Sequence, residues 1–238
     1  MKIIMAALLL GLATQAQVAI AQPTAESVIA AYFESIGGEE NLLRVKSLFL
    51  SGTTYTQSLP LEVRLYIKPP NKAYNELLME GQIFSSGGTD GNNAWQSTPL
   101  GTFFLDGDLK LSAQQQADFF PLLDYRKRGM KLTYLGETFV KGKKSHKIQV
   151  VTAEADTSFC YFDDKDHFLL KQESRTGSVL FSKYRPVGNL VIFHKLNTEG
   201  AEGELLITFD SIAVNIPIPD SLFVMPADAE PLPEKFKP

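Results

Sequence analysis

The sequence predicts a mainly β chain of the α+β kind, in which one long antiparallel sheet curls around helical filler. Three observations lead there. The 238 residues hold 17 Gly and 13 Pro with no repeat period, so turns are frequent and a helical bundle is disfavoured. From Ser47 onward apolar side chains recur at every second position, the period of a strand with one buried face. The connectors between these segments are short and polar, which antiparallel pairing allows and parallel crossovers do not.

Taken in order, residues 1–21 read as a secretory signal. Lys2 is the positive start, Ile3 to Leu12 is an apolar run too short to span a bilayer, and Ala19-Ile20-Ala21 offers small residues to a signal peptidase. Cleavage is expected before Gln22, with cleavage after Ala16 as the alternative. No second long apolar stretch follows, so no integral membrane segment is expected after cleavage.

Thr24 to Ile36 reads as a helix: Thr24 caps it, Glu26 suits the positive end of its dipole, and Val28, Tyr32 and Ile36 recur on one face. Gly37-Gly38 ends it, and a shorter helical piece follows over Glu39 to Val45.

The strand pattern then begins. Leu48 to Tyr55, Glu62 to Lys68, Ala73 to Glu80, Gln82 to Ser86 and Ala94 to Thr98 read as strands. In the second, Val63, Leu65 and Ile67 share a face. Gly87 to Asn93 carries a strong turn signal, and Asp106-Gly107 after Phe103-Phe104-Leu105 reads as a further hairpin.

Ser112 to Tyr125 breaks the alternation. Ser112 can cap a helix, but Pro121 forbids one unbroken helix, so two short helical turns are expected. Phe119, Phe120, Leu122 and Leu123 read as a movable apolar lid on this insertion, with ordinary core as the alternative. Strands resume at Lys131 to Phe139, Ser145 to Thr152, Thr157 to Asp163, Leu169 to Ser174, Leu180 to Pro186, Leu190 to Asn197 and Glu204 to Val214. With Pro217, Pro219, Pro226, Pro231 and Pro233, the end of the chain, including a Pro-rich tail over 226–238, is expected to be extended and loosely held. About ten or eleven antiparallel strands are thus expected, and a sheet that long curls or closes.

Composition narrows the chemistry. A formal charge of −4 without long basic runs lacks the footprint of nucleic-acid binding. Cys160 is the lone cysteine, so no internal disulfide forms and the core alone must hold the fold. A disulfide-free exported chain suits a bacterial periplasm. His146, His167 and His194 lack ligand partners at i+2 or i+4, and neither a nucleophile elbow nor a phosphate-binding glycine motif is present. Asp163 to His167 reads as a polar turn. No catalytic residue, metal or cofactor is expected.

Four patterns, in order, carry a family resemblance: Ile67-Lys68-Pro69-Pro70-Asn71; Asp90-Gly91 with Trp95; Leu135-Gly136-Glu137 through Ser145 to Val150 and on to Leu169-Leu170-Lys171; and Ile216 to Phe223. Together they resemble the periplasmic outer-membrane lipoprotein-sorting proteins of the LolA/LolB-like superfamily. The resemblance implies an unclosed half-barrel over residues 22–225 with helices at its mouth. It implies a concave apolar cavity for acyl chains of lipoproteins or other lipids, and no reaction. Val63, Leu65, Ile67, Trp95, Phe103, Phe119, Phe120, Leu122 and Leu123 are the expected ligand-binding residues. The sequence departs from the lipoprotein carrier at Pro69, where that carrier has an Arg that ties the lid shut. An alternative on the same scaffold is an interaction or sensor module with an envelope protein partner.

Overall fold

The computed structural model describes residues 22–56, 59–175, 177–200 and 203–233, so the expected signal segment lies outside the described residues. Helix α1 (Ala25–Ser35) opens on a capping box: the Thr24 N–H donates to Ser27 Oγ and the Ser27 N–H to Thr24 Oγ1. Val28, Tyr32 and Ile36 are all buried, as their spacing requires. Helix α2 (Glu39–Leu43) follows.

Six strands then run as a meander: β1 (Leu48–Thr56), β2 (Leu59–Lys68), β3 (Lys72–Met79), β4 (Gln82–Thr89), β5 (Ala94–Thr98) and β6 (Gly101–Leu105). Helix α3 (Gly107–Ala117) and a series of turns lead to β7 (Lys131–Val140), β8 (Lys143–Val151), β9 (Thr157–Asp163), β10 (Leu169–Ser174) and β11 (Gly177–Ser182). A small hairpin, β12 (Arg185–Val187) and β13 (Leu190–Ile192), interrupts the series before β14 (Lys195–Gly200) and β15 (Gly203–Val214). A 3₁₀ turn (Asp220–Phe223) and β16 (Glu230–Pro231) end the described chain.

Fourteen of these strands form one sheet in the order β16-β6-β5-β4-β3-β2-β1-β15-β14-β11-β10-β9-β8-β7. The sheet is a curved, unclosed half-barrel, antiparallel except where β16 joins β6, and longer than the ten or eleven strands expected. The pairing of β1 with β15 joins two meanders that grow outward in opposite directions. One consequence decides the architecture. Strands β6 and β7 lie at opposite ends of the sheet, so the 25 residues between them, 106–130, must travel from one rim to the other. They do so across the concave side, where α1 also lies.

Four local expectations are corrected. Asp106-Gly107 starts α3 rather than a hairpin: Gly107 takes the positive φ of +52° that the dipeptide suits, but β6 is already paired with β5 and the chain turns off the sheet. Ser112 therefore lies inside α3. The strands expected over 180–186 and 190–197 are each split. Lys183 adopts a φ of +59°, and the His194 N–H donates to the carbonyls of Ser182 and Lys183, so β12–β13 leaves the main sheet. That hairpin folds onto α1, where the Val191 N–H donates to the Ile36 carbonyl at 3.0 Å and Leu190 and Ile192 are buried. Gly37 permits the approach, since a Cβ there would lie 2.5 Å from the Asn189 carbonyl oxygen. The end of the chain is held down over residues 218–231. Ile218 and Phe223 are buried, Lys68 Nζ pairs with Asp220 at 2.9 Å, and β16 pairs in parallel with β6.

Candidate functional site: the lid-filled concave face

The concave face is set by β1 and β2, whose Leu48–Ile67, Leu50–Leu65 and Gly52–Val63 pairs stand directly opposite each other. Gly52 is required at its bulge: a Cβ would meet the Thr208 carbonyl oxygen at 2.0 Å. Ile148, Val150, Cys160, Phe162, Ile207 and Phe209 continue the same apolar surface on the other half of the sheet. Helix α1 fills its middle, with Tyr32 against Phe162 at 5.1 Å between ring centroids. Burial pushes the Tyr32 phenol above its ordinary range and the Cys160 thiol up to about 12, so this thiol is packing rather than a nucleophile.

Residues 118–130 close the mouth. Phe120 and Leu122 are buried in the core cluster, while Phe119, Leu123, Tyr125 and Met130 pack against it half-buried. Phe119 stacks on Phe193 and meets Phe120 edge-on at 5.1 Å. The segment is pinned by its own arginine: Arg128 pairs with Asp118 at 2.5 Å and donates to the Pro121 carbonyl at 2.9 Å. Burial raises the Asp118 carboxyl above the ordinary range, and Arg128 only partly offsets it. Helix α3 is tied to the opposite wall by Arg175 with Asp108, and by the Ser174 hydroxyl donating to Gln115.

Between the lid and the far wall lies a cavity of about 110 Å³. Leu111, Pro121 and Leu122 of the lid face Val150, Cys160 and Gln172 across it. Typical ligand pockets measure about 300–1,000 Å³, and a hollow of roughly 150 Å³ admits a benzene-sized molecule. An acyl chain does not fit unless the lid yields.

Of the expected ligand-binding residues, Val63, Leu65, Ile67, Phe119, Phe120, Leu122 and Leu123 meet in one apolar cluster. Only Leu122 lines the remaining cavity. Phe103 is buried on the concave side, opposite Gln96, but outside that cluster. Trp95 does not join them. It stands opposite Gly88, Gly88 opposite Tyr74, Tyr74 opposite Tyr66 and Tyr66 opposite Phe49, so it belongs to the convex face. The indole is nevertheless buried, against Gly88, where a Cβ would lie 2.8 Å from the ring. Sequence reasoning missed the far wall. Ile148 and Val150 alternate on β8, and that signal could have named them. His194 plays a structural part, with Nδ1 3.0 Å from the Ile192 carbonyl oxygen.

No protein-family model and no curated protein matches the chain. Solved structures do. A LolA superfamily protein from Nitrosomonas europaea is similar with a TM-score of 0.56 and 10% identity, over 85% of this chain and 98% of that one. A putative outer membrane lipoprotein-sorting protein domain from Vibrio parahaemolyticus gives 0.58 and 9%, over 82% and 94%. A DUF1329 family protein from Desulfovibrio piger gives 0.59 and 9%, over 83% and 97%. Identities this low bear on the fold alone. Joined to the unclosed sheet and its helix-filled concave side, they give this chain a LolA/LolB-like fold.

Proposed function

We propose that this protein is a periplasmic carrier of hydrophobic ligands, exported by cleavage of residues 1–21. It holds acyl chains of lipoproteins or other lipids on the concave face of the half-barrel and catalyses no reaction. The observation that carries this reading is the lid: Phe119, Phe120, Leu122 and Leu123 occupy the space an acyl chain needs, on a segment that crosses the mouth from rim to rim.

The energetics match an exchange. Each CH₂ transferred from water gains about 0.8 kcal/mol, so a chain of about fourteen carbons gains on the order of 10 kcal/mol before ordering costs. Each lid Phe or Leu is worth about 1.5–3 kcal/mol when buried. Four such groups compete with one acyl chain on nearly equal terms, which makes both capture and release accessible.

The filled concave face also favours a second reading, a protein-interaction or sensor module whose half-barrel is permanently plugged. Native mass spectrometry and lipid extraction of protein purified from its own periplasm separate the two. The carrier reading expects a lipid in near-stoichiometric amount and a new N-terminus at Gln22. A chain that is always empty, takes up no fatty acid in vitro and purifies with one stoichiometric protein overturns it.

A further inference from the structure

Away from the lid, at the free edge of the sheet, Glu137 of β7, His146 of β8 and Asp164 just after β9 converge. One ligand atom from each lies within 4.8 Å of the others. A β-bulge makes this possible. Tyr134 pairs with Ile148 and Glu137 with His146, so Leu135 and Gly136 on β7 stand against Lys147 alone on β8, with Gly136 at a φ of +100°. Without the extra residue, Glu137 would face the other side of the sheet. Asp164 is placed by its backbone N–H, which donates to the Lys144 carbonyl at 3.0 Å.

We propose that Glu137, His146 and Asp164 bind a divalent cation of the zinc class. His146 Nε2 lies 3.0 Å from Asp164 Oδ1. Zinc–ligand bonds of about 2.0–2.2 Å put neighbouring tetrahedral ligands roughly 3.4 Å apart, so this pair already has the required bite. Glu137 is half-exposed, and its carboxylate already lies within 4.8 Å of the ligand atoms of the other two. Two carboxylates balance a dication, the imidazole favours zinc over magnesium or calcium, and three protein ligands leave a fourth position for water. The other imidazole nitrogen is engaged in the manner of ligating histidines: Nδ1 lies 3.1 Å from the Tyr134 hydroxyl.

The place where the ion would sit already holds a cation. Lys144 Nζ lies 2.7 Å from Glu137 and 3.6 Å from Asp164. Its side chain is 45% exposed and can swing into solvent, so the ammonium and the metal compete for one pair of carboxylates. Bound metal would clamp the bulged edge strand to β8 and to the turn after β9.

The test uses the full chain stripped with EDTA and titrated with zinc chloride against a chromophoric chelator. One zinc per chain is expected, with a melting temperature that rises with free zinc. His146→Ala should abolish the site, and Tyr134→Phe should weaken it by about tenfold or more. Lys144→Met should tighten it, and His167→Ala should leave it unchanged. If His146→Ala fails to fold, Glu137→Gln at its exposed position carries the same readout. Absence of zinc binding, binding that survives both His146→Ala and Glu137→Gln, or a Lys144→Met variant that binds no more tightly overturns the proposal.

Discussion

The ring of Phe119 lies stacked on that of Phe193, with centroids 5.3 Å apart and planes 23° apart. Phe193 in turn meets Phe181 at 4.9 Å and Phe209 at 6.3 Å, so one lid side chain is continuous with the aromatic wall of the half-barrel. Phe119→Ala removes this link. Since Phe119 is half-buried, the cost should be about 2 kcal/mol rather than the roughly 3–5 of a fully buried Phe. Urea unfolding measures the loss, and an apolar dye measures access to the concave face. Unchanged dye uptake would show that this contact does not hold the mouth shut.

Arg128 ties the lid segment to itself, through Asp118 and the Pro121 carbonyl. Arg128→Gln leaves Asp118 without its partner and should cost about 1–2 kcal/mol at neutral pH, given the partial exposure of the guanidinium. The pH dependence has a definite sign. Burial raises the folded pKa of Asp118, so its contribution is fully present below the unfolded carboxylate value of about 3.9 and is lost as pH rises through the folded value. Losing Arg128 raises that folded value further. The gap between variant and parent should therefore widen from acid toward neutral pH, and a pH-independent gap would contradict the pairing.

Much of the fold was legible because it is local. Thr24 announces α1 through its hydroxyl, and the alternation Val63-Leu65-Ile67 announces β2 through its period. The lid was legible in Phe119-Phe120 followed by Pro121, which no strand or long helix accommodates. Which face a short strand buries was not legible. Alternation says that Trp95 and Ser97 share a side, not which side is concave, and bulges at Ser51/Gly52, Leu77/Leu78 and Tyr134/Glu137 reset the phase along the way. The cluster of Glu137, His146 and Asp164 was hidden for the same reason, since its spacing exists only across three elements.

The placement of Trp95 on the convex face is itself testable. Gly88→Ala sets a Cβ 2.7 Å from the Ala73 carbonyl oxygen and 2.8 Å from the indole, so the ring must move. A cost of about 1–3 kcal/mol and a shift of the lone tryptophan's emission are expected. Ligand uptake should stay unchanged, because the indole is on the other side of the sheet. A Trp95 emission quenched directly by bound lipid would refute that arrangement.

Asp163 gives acid sensitivity of the opposite sign to Asp118. Burial alone would raise its carboxyl, but Lys143 at 2.8 Å and the N–H groups of Lys165 and Asp166 outweigh it and hold the pKa below the ordinary value. A depressed carboxyl contributes stability that is present above its unfolded pKa and lost as pH falls through the folded one. Asp163→Asn should cost about 1–3 kcal/mol near neutrality. That difference should shrink below about pH 4 as the parent's carboxylate is protonated. Chemical denaturation at a series of pH values measures it, and a difference that persists undiminished in acid would exclude the charged pairing as its source.

Cys160 reports on the lid without modification of the chain. Its thiol lines the small cavity together with Leu122, and burial pushes its pKa up to about 12. At pH 8 the thiolate share is then on the order of one in ten thousand, and an aromatic disulfide reagent finds no room beside it. Labelling must wait for an opening. If the lid opens as a unit while the sheet stays folded, Phe119→Ala should speed labelling by roughly 30-fold, the factor that corresponds to about 2 kcal/mol. Far-UV circular dichroism should show no loss of strand over the same interval. If instead Cys160 reacts only at the rate of global unfolding, in parent and variant alike, the insertion is a fixed plug. The half-barrel would then take no acyl chain in its native state.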